Sequence, residues 1–532
     1  MSLAENLQHR NHPAIDRLIQ DLGADVVLAD DGTRSYYAND IFWQPGIPPL
    51  AVVMPKTREE TAMAVSTAIQ AGVAVVPRGG GMSYTKGYIP ALPDSIVIDA
   101  RRMDRILEIN AADMYVTVEA GCTWAKLNEA LEGTGLRSAY WGPLSGINAT
   151  IGGALSQNSA FFGSTTNATV AESVLGVTVV LADGRIVTTG SGGRKDAKPF
   201  TREGGPDLTG LFLGDNGAMG VKVAATIRLH VKPAETGYLS FGFESMPIMA
   251  SAQVEMARTR SISEGFGIDR TKAEHSASVN KLMDGVKTLG NVVKGGKTML
   301  GGLKDAVSVA AGGTAFLKAH NYTLHLVLEG RTPAELAESM KRVREIGNRY
   351  GKEIENTVPK VMRSKPFGPT RGMLGADGQR WVPIHAVFPL STGKAVAEAN
   401  DAFFASKRDF MEKHGIVYSV MSMTVGNEFF LEPAFYWMDE ITPLHAKSLG
   451  DDVVKPWRDR PANVTARNAV AELRRGTQEL YASLGGVSWQ VARDYPFKEL
   501  LTPETWSLLE GVKRSVDPQG LMNPGSLGLG RQ

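Results

Sequence analysis

Val76-Pro-Arg-Gly-Gly-Gly-Met-Ser-Tyr-Thr-Lys-Gly87 is the stretch on which the reading of this chain turns. An apolar run, Ala71 to Val76, stops at three consecutive glycines followed by small hydroxyl residues. Glycine has no Cβ and tolerates positive φ, so this backbone can curl tightly and approach a ligand. Successive N–H groups in such a turn make a concave anion site, to which Ser83 and Thr85 would add hydroxyl donors. The plain alternative is a glycine-rich connection between two strands. The spacing is neither Gly-x-x-x-x-Gly-Lys-Ser/Thr nor Gly-x-Gly-x-x-Gly, so neither a P-loop nor a Rossmann turn is supported. What the loop binds has to be decided by the chain on either side.

Upstream, the apolar spacing over 14–29 predicts an amphipathic helix. Ala51-Val-Val-Met54 reads as a strand, and Thr57-Arg-Glu-Glu60 opens a helix running to Ala71. Ala74-Val-Val76 is the strand that enters the glycine loop. Downstream, Ser95–Asp99, Ile106–Ile109 and Tyr115–Val118 are short β-branched runs, and Trp124 to Gly133 reads as a helix. The segment 49–135 is therefore α+β. A second glycine cluster, Trp141 to Ser159, contains Gly152-Gly153 beside small polar residues and suggests backbone packed against a flat or phosphorylated ligand. Val174 to Leu181 is a strand turned by Asp183-Gly184 into Arg185–Thr188. A third cluster, Leu211-Phe-Leu-Gly-Asp-Asn-Gly-Ala-Met-Gly220, precedes the strand Val221 to Leu229.

The bulk composition narrows the class. At 532 residues the chain is expected to hold two or three domains. With a net charge of +1, 43% apolar and 21% charged residues, it gives no reason to expect a nucleic-acid partner. Met1 to His12 is polar, so no secretory signal is read, and no apolar run is long enough to span a membrane. A single cysteine, Cys122, rules out an intrachain disulfide and fits a reducing compartment. A cytoplasmic protein is the expectation.

Four motifs now carry a resemblance: Val76-Pro-Arg-Gly-Gly-Gly-x-Ser, Ala149-Thr-Ile-Gly-Gly153, Val179-Val-Leu-Ala-Asp-Gly184 and Leu211-Phe-Leu-Gly-Asp-x-Gly-x-x-Gly220. Their order and spacing resemble the flavin-binding domain of the FAD-linked oxidases of the vanillyl-alcohol oxidase and 4-cresol dehydrogenase superfamily. That group also contains D-lactate, glycolate and D-2-hydroxyglutarate dehydrogenases and alkyl-dihydroxyacetone-phosphate synthase. The closing stretch Asp517-Pro-Gln-Gly-Leu-Met-Asn-Pro-Gly525 resembles the superfamily's final signature. The resemblance implies an FAD cofactor. Pro77, Arg78, Gly79, Gly80, Gly81, Met82, Ser83 and Tyr84 would wrap its pyrophosphate. Pro143, Thr150, Ile151, Gly152, Gly153 and Ser156 would line the isoalloxazine and ribityl. Gly214, Gly217, Gly220 and Val221 would meet the adenine end, and Asn523 would sit near the isoalloxazine. Many relatives hold the flavin covalently through His, Cys or Tyr. Residues 76–90 offer only Tyr84 and Tyr88, read as packing residues, so a dissociable FAD is expected.

The resemblance also implies the fold: α+β, with a PCMH-type FAD-binding domain of two α+β subdomains and an α+β cap whose antiparallel sheet lies over the flavin. The boundaries expected are a helical segment at 1–48, the FAD domain at 49–233, the cap at 234–475, and a C-terminal segment, 476–532, that returns to the FAD domain. Within the cap, 278–318 interleaves Lys281, Lys287, Lys294, Lys297 and Lys304 with apolar residues and many glycines. It reads as a solvated insert, an apolar-packed lid, or an amphipathic element making a peripheral membrane contact.

Candidate chemistry gathers late in the chain. His385 falls where relatives carry residues above the flavin, and Tyr418 and Tyr436 lie on the next expected strands. Arg493 is assigned to hold an anionic or phenolate substrate, because guanidinium pairs bidentately with carboxylate. No metal site is expected. The hydroxy-acid branch carries Ser-x-Glu-His-Gly, whereas this chain has Ser488-Trp-Gln-Val-Ala492, which supplies neither the carboxylate nor the imidazole. Aromatic residues at 429–437 and Trp489 suit an apolar ring pocket. The expected reaction is hydride transfer from a para-substituted phenol or aromatic alcohol to flavin N5, with His385, Tyr418 or Tyr436 assisting proton removal. The alternatives are a metal-independent 2-hydroxy-acid dehydrogenase and a membrane-surface flavoprotein feeding a quinone or cytochrome. Oxygen, a quinone or a cytochrome would reoxidise the flavin, and a homodimer is the expected assembly.

Overall fold

A computed structural model describes residues 12–42, 44–274, 319–368, 373–375 and 377–531; the insert 278–318 lies outside the described residues. The first sheet holds β1 (Val27–Leu28), β2 (Ala51–Val53), β3 (Ala74–Arg78) and β4 (Ser95–Asp99) in the order β1-β2-β4-β3. β2 and β3 both run parallel to β4. Their residues are apolar without alternation because a parallel sheet is covered on both faces, and all of β2 and β4 is buried. The helix Arg58–Gln70 makes the crossover from β2 to β3, and Thr57 caps it by accepting from the Glu60 N–H at 3.1 Å. β3 ends at Arg78, where the glycine loop leaves the sheet.

The second sheet is antiparallel: β5 (Ile106–Asn110), β6 (Tyr115–Glu119), β7 (Leu136–Ser138), β8 (Val174–Val180), β9 (Ile186–Thr188) and β10 (Val221–Val231). The order is β5-β6-β10-β8-β9, with β7 also on β10. Gly184 takes φ 84° at the β8–β9 turn, as the Asp-Gly pair predicts.

The third sheet has β11 (Glu235–Phe243), β12 (Ile262–Asp269), β13 (Tyr322–Gly330), β14 (Lys352–Glu353), β15 (Arg380–Pro383), β16 (Ala386–Pro389), β17 (Val417–Val425) and β18 (Glu428–Trp437). Its order is β14-β11-β13-β12-β17-β18-β15, with β16 also pairing β18. Helices Met246–Ala257, Pro333–Tyr350 and Gly393–Ser406 pack one face of this sheet with Phe429 and Leu431, while Val464–Ser483 packs there with Phe435 and Trp437. Successive strand residues point to opposite faces, so Phe430, Glu432 and Tyr436 turn the other way, and Phe430 meets Trp141 and Phe162 of the glycine-rich half.

Three departures from the sequence reading have simple causes. The first helix spans Pro13–Leu22 and stops at Gly23, whose φ of 93° no helix accepts. The helix Met246–Ala257 gave no periodic signal because eight of its 12 residues are buried, leaving no polar face to alternate with. The strand expected near 381–388 is broken into β15 and β16, and the break falls at Ile384-His385. Among the described residues no helix is long and apolar enough to cross a membrane.

The cap is tied down by one buried ion network. Arg137 of β7 donates twice to Glu329 of β13, both at 2.8 Å. Arg363 reaches Glu329 and, at 2.7 Å, Glu264 of β12, which also accepts the Trp141 indole N–H at 3.1 Å. Just after Arg363, the Phe367 ring covers Gly142 and Gly146 so closely that a Cβ at Gly146 would stand 2.3 Å from it.

Candidate active site

The three glycine clusters and the C-terminal segment converge at the end of β3. A Cβ on Gly79 would stand 2.2 Å from Thr150 Oγ1, and one on Gly80 would stand 2.0 Å from the Asn148 carbonyl oxygen. Gly217 presses on Pro77, where a Cβ would be 2.3 Å from the ring, and Gly152 lies against Ala120. Ser156 of the second cluster accepts from Lys222 of β10 at 2.8 Å, beside Asp215 of the third cluster. Leu521 to Asn523 runs along β3: Val75 N–H donates to Leu521 O at 2.9 Å and Asn523 N–H to Val75 O at 2.8 Å. The Asn523 side chain then donates to the Gly87 and Asn216 carbonyls, closing all four segments on one another.

Among the described residues, the N–H groups of Gly80, Gly81, Met82 and Ser83 meet no hydrogen-bond acceptor. Four consecutive unpartnered donors on a loop whose glycines leave no room for a Cβ form the concave backbone site an anion fills. These residues fit the pyrophosphate of FAD. Met82 and Tyr84 extend from the same loop toward the cap, Met82 packing against Ile41, Met373 and Leu444.

Arg493, read from sequence as a substrate anchor, does something else. Its Nε donates to Pro524 O at 2.8 Å, its Nη1 to Lys86 O at 2.7 Å and Ile89 O at 2.9 Å, and its Nη2 to Asn523 Oδ1. Four guanidinium hydrogen bonds thus staple the C-terminal segment to the glycine loop. Tyr418 is also relocated: it sits on the helix-covered face of the sheet, stacked on Phe404 at 4.1 Å and bonded to Asn400 at 2.8 Å. Its β17 neighbours Met421 and Met423 face the glycine-rich half instead.

The open face of the cap carries a connected set of side chains. Tyr495 Oη accepts from the His385 backbone N–H at 3.0 Å and from the Arg474 guanidinium, and lies 2.9 Å from His385 Nδ1. Two donors already occupy the hydroxyl oxygen, so its own proton goes to Nδ1, and the imidazole carries its proton on Nε2. Burial, with the Arg474 charge, pushes the His385 pKa down to about 3. His385 is therefore a neutral donor, not the base expected, and its buried Nε2 has no partner. Phe430 stacks on both it and Trp489, at centroid distances of 5.5 and 5.3 Å, and the imidazole meets Trp489 directly at 5.6 Å.

Beside these, Tyr436 stacks on Trp381 at 6.4 Å, and Trp381 meets Tyr84 at 6.1 Å. The Lys272 ammonium lies over both the Trp381 and Tyr436 rings, at 5.3 and 5.9 Å. Glu432 occupies the same face, four residues before Tyr436 and opposite Met421. Burial pushes its carboxyl up to about 7, against the pull of Lys272. Tyr84, Trp381, Trp489 and Tyr495 each keep part of their surface open, so the face borders accessible space. The arrangement offers a basic carboxylate, an imidazole donor, a phenol–guanidinium pair and aromatic walls.

Glu432, Lys272, Arg474 and Tyr495 were not singled out from sequence. Two had a visible signal. Glu432 shares the period-2 face of Phe430 and Tyr436, and Arg474 is the lone charge in the buried stripe Ala466, Ala469, Val470, Leu473, Thr477, Tyr481. Lys272 and Tyr495 had none.

Comparison with known proteins agrees with the geometry. A protein-family profile described as an FAD binding domain matches residues 49–190. D-lactate dehydrogenase [cytochrome] 1, mitochondrial, of Saccharomyces cerevisiae is 30% identical over 235 residues, covering 42% of this chain and 38% of that protein. Glycolate oxidase subunit GlcD of Bacillus subtilis is 30% identical over 218 residues, 41% of this chain and 45% of that protein. The chain thus spans less than half the length of these curated relatives. Over the whole chain the likeness is to solved structures. 4-Ethylphenol oxidase from Gulosibacter chungangensis, in an isoeugenol complex, superposes with a TM-score of 0.72 at 18% identity, covering 100% of this chain and 98% of that one. p-Cresol methylhydroxylase with substrate bound gives 0.73 at 16% identity, covering 99% and 98%. Residues 49–190 are an FAD binding domain, and the chain around them has the fold of the PCMH-type FAD-linked oxidases.

Proposed function

We propose that the protein is an FAD-dependent oxidoreductase that removes a hydride from a para-substituted phenol or aromatic alcohol, with its FAD held dissociably. The observation that carries this reading is the open cap face, where Tyr495 and Arg474 stand among Tyr84, Trp381, Tyr436, Phe430 and Trp489. When bound between the glycine loop and this face, FAD supplies the hydride acceptor. The chain's residues do the rest. Trp381, Tyr436, Phe430 and Trp489 hold an aromatic ring and exclude water. The Tyr495 hydroxyl, held by Arg474, fixes the His385 ring, whose Nε2–H receives the phenol oxygen, with Tyr84 beside it. Glu432, with a carboxyl titrating near neutrality, takes up the proton released, the range in which a general base works best. His385 Nε2–H donates to an acceptor on the substrate. His385 and Tyr436 thus keep a place in the site, Tyr436 as a ring wall.

A 2-hydroxy acid is the second reading, favoured by the identity to D-lactate dehydrogenases. It is read as metal-independent, because Ser488-Trp-Gln-Val-Ala492 offers a metal neither a carboxylate nor an imidazole. The two readings separate when FAD-loaded protein is mixed anaerobically with 4-alkylphenols, aromatic alcohols and D-2-hydroxy acids and the flavin absorbance near ~450 nm is followed. Bleaching by phenols or aromatic alcohols alone supports the first reading; bleaching by hydroxy acids alone replaces it with the second. Acid precipitation of the same sample should leave the yellow colour in the supernatant, and a yellow pellet would show a covalent flavin. Subsequent admission of oxygen, a quinone or a cytochrome identifies the acceptor.

A further inference from the structure

Two cations face the open side of the cap among the described residues, and they are not equivalent. Arg474 is engaged on all sides, by the Pro383 carbonyl, Asp494 and the Tyr495 hydroxyl. Lys272, just beyond the end of β12, touches the Tyr436 hydroxyl and rests on two aromatic faces, with the Glu432 and Asp269 carboxyls within electrostatic reach. Among the described residues it closes no salt bridge.

We propose that Lys272 is an anion anchor, and that the substrate carries a carboxylate, or an anion of similar size, which docks on the Lys272 ammonium inside the Trp381–Tyr436 corner. The proposal rests on the oxidoreductase reading for the existence of a substrate at this face, and it adds the charge that the substrate bears. A half-buried ammonium is costly to hold without a counter-ion, and an aromatic corner compensates only part of that cost. Burial alone would lower the Lys272 pKa, yet Tyr436, Glu432 and Asp269 hold it above its ordinary value, so it is a cation throughout the physiological range. Neither carboxyl closes on it at salt-bridge distance, and burial raises both, Glu432 to about 7 and Asp269 to about 6. An incoming carboxylate can therefore take the place that Glu432 leaves unfilled. A ligand so held would put its ring against Trp381 and Tyr436 and its other end toward Tyr495 and His385.

The test uses FAD-loaded protein and two matched pairs, 4-hydroxyphenylpropanoate with its primary amide and D-lactate with D-lactamide, each titrated anaerobically against the flavin spectrum. A charge-assisted contact of this kind should make the acid bind at least about tenfold tighter than its amide in one pair. That preference should fall to near unity in Lys272→Met and Lys272→Gln, the latter retaining a donor for Tyr436, and persist in Lys272→Arg. A preference that survives both neutral substitutions, or wild-type protein with no preference in either pair, overturns the anchor. If only the lactate pair binds and its preference vanishes with Lys272, the anchor stands and the phenol reading falls. If only the phenol pair binds and shows no preference, the phenol reading stands and the anchor falls.

Discussion

Gly80→Ala is the substitution from which the cofactor loop can be judged. The added Cβ would stand 2.0 Å from the Asn148 carbonyl oxygen and 2.7 Å from its carbon, where ordinary contact begins at 3.4 Å. Something must move by more than 1 Å, and the obstacle is backbone. The 148–151 segment is poorly able to yield: Ala149 N–H donates to Ser145 O and Ile151 N–H to Cys122 O, both at 2.8 Å, while Thr150 caps the following helix through the Gly153 N–H at 3.2 Å. The glycine loop shifts instead, carrying the N–H groups of Gly80 to Ser83 out of register with a bound pyrophosphate. A hydrogen bond to a charged group is worth about 1.5–3 kcal/mol, so losing two of the four weakens FAD binding by at least about a hundredfold. Titrating FAD into the apoprotein and following quenching of flavin fluorescence measures this directly. Gly511→Ala is the matched control, since a Cβ there meets nothing within 4 Å inside the helix Pro503–Val516. It should leave affinity unchanged and raise stability by roughly 0.5–1 kcal/mol. Wild-type FAD affinity in Gly80→Ala would refute the assignment of this loop as the pyrophosphate site.

Two further substitutions probe the cap and the C-terminal staple. Glu432 titrates at about 7 in the fold against an ordinary 4.5, so its contribution to stability is full below about pH 4.5 and declines as pH rises through 7. The difference amounts to about 3 kcal/mol, which Glu432→Gln removes; melting temperatures from pH 5 to 8 should slope downward in wild type and less so in the variant, and parallel curves would refute it. The rate of flavin reduction should likewise climb through the same midpoint in wild type and be slow and flat in Glu432→Gln. Arg493→Ala frees the C-terminal segment from Lys86 and Ile89, so melting temperature and FAD affinity should fall while KM of the FAD-loaded enzyme moves less than about threefold. A large KM increase with normal FAD binding would return Arg493 to the substrate.

Most of the glycine-rich half was legible in the sequence because its constraints are local. A glycine that cannot carry a Cβ marks its own position, and β4 spans the Ser95–Asp99 run as read. The cofactor loop could be located from Arg78 to Ser83 alone, but not its partners: that Gly80 rests on Asn148 is a fact of tertiary structure. The cap was harder. Whether Tyr418 or Met421 faces the cofactor depends on which face of β17 the helices cover, and nothing within a strand states that. The same blindness explains Arg493. An arginine near a substrate and an arginine bonded to four backbone and amide oxygens look identical in one dimension, and only the positions of Lys86, Ile89, Asn523 and Pro524 distinguish them.

The Asn523 amide that reaches the Gly87 carbonyl crosses a sequence separation of 436 residues. A ribosome delivers those two groups at widely different times. When residues 76–87 emerge, the strand that will lie along Val75 and the side chain that will pin Gly87 do not yet exist. The first sheet can assemble early, but its edge stays open and the loop lacks its closing partner until residue 527 has been made. Cofactor capture is accordingly among the last events in the life of the nascent chain, and a message interrupted anywhere between residues 90 and 520 yields a polypeptide with every glycine of the loop in place and no means of closing it on FAD.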